Sequence, residues 1–103
     1  MKLIRDLEDL IEDEIHDIEK YAKMACELKD DQPQLAHVLY TISTQEDTHR
    51  QMIHDEVVKI IGEYRKNNGE PPAAMVAVYN HIHQKHIENL ADAKRYQEMY
   101  RNN

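Results

Sequence analysis

Helix-breaking residues are confined almost entirely to two short stretches, and that restricts the fold more than any other feature. The first is Asp30-Asp31-Gln32-Pro33; the second is Asn67-Asn68-Gly69-Glu70-Pro71-Pro72. The remaining glycine, Gly62, stands alone. Everything else is rich in helix formers, with no Phe, no Trp and no strand-like alternation. Three long helices are therefore expected, at about 2–29, 33–66 and 72–100. Asp31 is placed to cap the second helix, and Pro33 suits its first turn. Gly62 weakens the end of that helix by roughly 1 kcal/mol relative to Ala, so a bend or early end is expected there. Gly69 reads as a left-handed terminator. Helices this long, joined by short loops, pack antiparallel. The expected fold is all-α: a long helical hairpin plus a third helix, one domain over 1–103.

The apolar stripes support this. In the first helix Leu3, Leu7, Leu10, Ile18, Tyr21, Ala25 and Leu28 recur at helical spacing, widened by Ile4, Ile11, Ile15 and Ala22. In the second, Leu35, Leu39, Ile42, Ile53, Val57, Ile60 and Tyr64 do so. In the third, the apolar positions are Val76, Tyr79, Ile82, Leu90, Ala93 and Tyr100. Three helices leave a wide apolar face partly uncovered, so self-association is expected.

Ionisable residues interrupt these stripes. Glu46 and His49 are three apart and project from one helix face. Glu14 interrupts the first stripe. An ionisable pair in an apolar stripe costs several kcal/mol unless a metal cation or an ion pair compensates it. Glu14 lies 17 positions before Asp31 and Glu46 lies 15 after it, so in a hairpin the two reach nearly one level. Glu14, Glu46 and His49 are thus candidate metal ligands and the candidate catalytic set. Tyr21, two turns beyond Glu14, is placed to hydrogen-bond a ligand carboxylate. Carboxylate oxygens with one imidazole suit Fe, Mn or Zn. His83, His86 and Glu88 in the third helix are secondary candidates.

Glu14-x6-Tyr21 followed by Glu46-x-x-His49 resembles the first half of the ferritin-like diiron carboxylate proteins, such as rubrerythrin and bacterioferritin. The resemblance covers residues 10–60. It implies Glu14 as the first-helix ligand, Glu46 as a bridging carboxylate and His49 as the nitrogen ligand. It also implies a dinuclear iron centre that oxidises ferrous iron with dioxygen or peroxide. The chain holds one such half-motif, whereas the family uses two. A homodimer or larger even-numbered oligomer would complete a four-helix bundle, as in the similar short encapsulated ferritins. Completion within one chain through Glu88 is the other route. The competing reading is a non-enzymatic helical dimerisation or structural module, its polar groups setting register and partner choice.

Composition narrows the partners. Thirteen Lys and Arg against twenty Asp and Glu leave a net charge of −7, which disfavours nucleic acid and anionic membranes. No apolar run is long enough to span a bilayer. A single cysteine, Cys26, and a first segment that turns acidic at Asp6 point to the cytoplasm. Zinc-dependent hydrolysis finds no His-Glu-x-x-His to build on.

Overall fold

The computed structural model describes residues 2–102. Three helices follow one another: α1 (Lys2–Leu28), α2 (Pro33–Asn68) and α3 (Ala73–Asn102). The two breaks fall where the Pro and Gly residues are. Pro33 occupies the first turn of α2, but Gln32, not Asp31, stands at the cap, and its side chain makes no capping hydrogen bond. The chain is instead held there by its backbone: Gln32 N–H donates to Leu28 C=O, and Ala36 N–H to Gln32 C=O. Gly69 terminates α2 at φ 77°, donating its N–H to Arg65 C=O. That φ lies where a Cβ is disfavoured, so glycine suits the position. At Gly62 the helix neither ends nor breaks.

The molecule is a rod of 55 × 20 × 19 Å. The backbone of α1 lies close to both other helices, whereas α2 and α3 stand apart and meet chiefly through long side chains. The pairs Tyr40–Tyr100, Ser43–Gln97, Asp47–Lys94 and His54–His83 run in opposite directions along α2 and α3. Those helices are therefore antiparallel, as are α1 and α2.

The core has an apolar cluster towards each end. One is Ile4, Ile11, Ile15 and Val57, flanked by Leu7, Ile53, Ile60, Ile61, Tyr79 and Leu90. The other is Ala25, Ala36 and Leu39, flanked by Tyr21, Leu28, Tyr40 and Tyr100. Between them lies a polar layer. Gln97 donates to Ser43 Oγ at 2.9 Å, and Ser43 donates to the Ile18 carbonyl at 2.8 Å. This chain of hydrogen bonds joins all three helices where Ser43 and Gln97 are buried, and so satisfies polar groups that would otherwise be costly.

The buried stripe differs from the expected one in its centre. Leu3, Leu10 and Leu35 are exposed, while Ile4, Ile11, Ile15 and Ala36 are buried. On α1 the apolar arc is wider than its two neighbours can cover, and the β-branched side of the arc is the one that packs. Further exposed apolar side chains include Met52, Val58 and Val78. No helix among the described residues is long and apolar enough to cross a membrane.

Candidate metal centre

Just beyond the Ser43 layer, α1 and α2 bring Glu14, Glu46 and His49 together. Their donor atoms all lie within 4.8 Å of one another. Donors around one ion at about 2.0–2.2 Å sit up to roughly 4 Å apart, so little contraction closes the set. His49 Nδ1 is 3.9 Å from Glu14 Oε2 and 3.8 Å from Glu46 Oε2. The carboxylates are mostly covered, at 23% and 20% side-chain exposure, whereas the imidazole is open at 54%. The site is thus a covered carboxylate pair with a solvent-facing imidazole.

Glu14 bears the electrostatic strain. Burial is the main force pushing its carboxyl up to about 7, from an ordinary 4.5. A hydrogen bond with Glu46 and the charges of Glu46, Asp17 and Asp13 push the same way. Glu14 Oε2 is buried with no hydrogen-bond partner. A carboxylate oxygen shut away from water is destabilising when charged, and either a proton held by the pair or a cation relieves it.

The sign of the pH dependence follows. The folded form holds the Glu14 proton more tightly than the unfolded chain does. Its contribution to stability is complete below about pH 4.5 and is lost as pH rises through about 7. Asp47 acts oppositely and at lower pH. Burial would raise its carboxyl, but hydrogen bonds from Lys94 and Arg50 and their charges outweigh burial and hold it below the ordinary 3.8. Its contribution is present above about pH 3.8 and lost in stronger acid. Metal-free protein should therefore melt lower near pH 8 than near pH 5.5, and Glu14→Gln should flatten that slope. Equal slopes in the two proteins would show that Glu14 does not carry the shift.

The other expected site residues do not join this group. Tyr21 packs with the Ala25–Leu39 cluster and carries the Lys20 ammonium 5.4 Å from its ring centre. It makes no hydrogen bond to Glu14 among the described residues. Glu88 is exposed and accepts a hydrogen bond from Gln84 one turn earlier, so α3 does not complete the site through it. His86 is buried and its Nδ1 lies 3.1 Å from Glu8 Oε2. His83 stacks on His54, with ring centres 6.1 Å apart. The Glu8–His86 pair escaped sequence reasoning because Glu8 lies in the acidic surface pattern of α1; only its level, six residues before Glu14, marks it. Asp47, with Arg50 and Lys94, is a second unanticipated group, tying α2 to α3 beside the candidate ligands.

Comparison with known proteins finds no matching family model, curated protein or solved structure.

Proposed function

We propose that this chain is a ferritin-like metal protein that binds iron through Glu14, Glu46 and His49 and oxidises it from the ferrous state. The observation that carries the reading is the convergence of two covered carboxylates and an imidazole, with Glu14 Oε2 buried and unpartnered. One chain offers half a dinuclear ligand set. A homodimer would double it to four carboxylates and two imidazoles, on an isologous interface. The exposed apolar side chains of α1 and α2, such as Leu10 and Met52, are surface that such an interface would cover.

An oxygen-rich set favours ferric over ferrous iron. With hydrogen peroxide as oxidant, two ferrous ions each lose one electron, the O–O bond breaks, and two protons complete two waters. Within that reaction the Glu14–Glu46 pair supplies negative charge and gives up its proton as the cation enters. His49, open to solvent, adds the nitrogen donor. Manganese or zinc would suit the same donors.

Anaerobic loading with ferrous iron, followed by addition of oxygen or peroxide, tests the reading. We expect one iron per chain in an even-numbered oligomer and a near-ultraviolet absorbance rise on oxidation. Protein that fills with iron but shows no change on oxidant would end the redox part of the reading. Protein that takes up no metal would favour a helical dimerisation module. In that second reading the contacts of His49 with the two carboxylates, at 3.8 and 3.9 Å, fix helix register.

A further inference from the structure

We infer that the face of the α1–α2 hairpin turned away from α3 seats a second copy of this chain, and that a divalent cation at its centre tightens the pairing. The second half rests on the metal reading of Glu14, Glu46 and His49; the docking face does not. Spacing singles out this face among the exposed apolar side chains. On α1, Leu3, Leu10, Asp17 and Met24 stand seven residues apart. Leu7, Glu14, Tyr21 and Leu28 follow each of them by four. On α2, Leu35, Ile42, His49 and Glu56 form the matching outer row. Leu39, Glu46, Ile53 and Ile60 form its inner one. Alternating steps of four and three, held along both helices, make the seam of a coiled coil.

The fold turns both outer rows away from α3. Glu8 of α1 pairs with His86 of α3, and Leu10 lies two residues on, about 200° round the helix. Tyr40, Asp47 and His54 of α2 reach α3, and Ile42, His49 and Glu56 in turn lie two residues beyond them. The outer rows stay open, with Leu3, Leu10, Met24 and Leu35 between 41% and 52% exposed. The inner rows are half-buried or buried in the groove between α1 and α2.

Two observations select a second copy as the occupant. The seam is about 39 Å long at 1.5 Å per residue, on a rod 20 Å across, so the face is roughly 800 Å². One partner in a standard stable interface contributes about 800 Å². The charged layer also stands at the middle of the face. Three apolar positions precede Glu14 and Asp17 on α1 and three follow them, while on α2 Glu46 and His49 hold the two central positions and Glu56 is the one charge outside the layer. In an isologous contact the residues at the two-fold axis meet their own copies. A face with its charged layer at the centre therefore lays apolar ends on apolar ends when it meets itself. Each copy brings Glu14, Glu46 and Asp17 to that layer against His49, with Lys20 3.7 Å from Asp17. Pairing doubles the carboxylates at one level, so like charges oppose the metal-free dimer and a cation bound among them favours it.

Sedimentation of the full chain in chelator, and then with manganese(II) alone, tests both halves. We expect a dimer at micromolar concentration with manganese, and a dissociation constant at least about 10-fold weaker in chelator. Leu10→Glu and Leu35→Glu should each weaken the manganese-loaded dimer at least about 100-fold, since each buries an unpaired charge. Val78→Glu and Ile87→Glu, at exposed apolar positions of α3, should leave it within about 2-fold. All four positions are exposed in the single chain, so the helices should survive, which circular dichroism checks. A parent that stays monomeric at about 100 μM would overturn the docking face, and if that monomer still binds manganese the metal reading stands without it. Substitutions on α3 that weaken the dimer as much as those in the seam would overturn the face too. A dimer whose dissociation constant manganese leaves unchanged would overturn the coupling.

Discussion

Protein carrying Glu14→Gln and Glu46→Gln is expected to lose ferrous iron binding by at least about 100-fold and to melt no lower than the parent. The binding loss follows from removing two ligands, when removing even a group that merely supports a ligand typically costs about 10–100-fold. The unchanged or raised melting point follows from the apo energetics. Glu14 is held largely out of water beside another carboxylate, with Oε2 unpartnered. An amide keeps the volume, removes the like-charge contact and brings an N–H donor to the neighbouring acceptor. Iron titration monitored by calorimetry, with a melting curve in chelator, measures both halves. A large fall in stability without metal would mean that the carboxylates are structural in themselves, each held by partners that the amides cannot replace. Retained iron binding would move the iron centre elsewhere.

Ile18→Ala should be the most damaging single truncation of the core, costing about 2–5 kcal/mol. Ile18 is fully buried and is among the largest such side chains. It lies between the two apolar clusters, and its carbonyl accepts the Ser43 hydroxyl. Deleting its outer carbons leaves a cavity at mid-rod, where no helix end can fray to fill it, beside a hydrogen-bond chain through Ser43 and Gln97 that depends on that spacing. For a domain of this size each kcal/mol is about 4–8 °C, so a fall of at least roughly 10 °C is expected in a thermal melt. A fall of only a degree or two would mean that the middle of the rod is loosely packed and that its polar layer, rather than Ile18, keeps the helices in register.

The sequence by itself determined the helices, their breaks and the level at which Glu14, Glu46 and His49 meet. The reason is that these follow from local properties: Pro and Gly interrupt a helix wherever they stand, and a fixed rise per residue sets heights in a hairpin. Only the tertiary structure decided which part of the broad α1 stripe would be buried, because an amphipathic arc has no preferred centre until neighbours choose one. Leu3 and Leu10 stay outside for that reason, while Ile4 and Ile11 go in. It also decided the partners of polar side chains on different helices. Glu8 with His86, Asp47 with Lys94 and Gln97 with Ser43 each join residues more than forty positions apart. No periodicity encodes such pairs, since they depend on how far apart α2 and α3 stand and on which way each long helix is turned about its own axis.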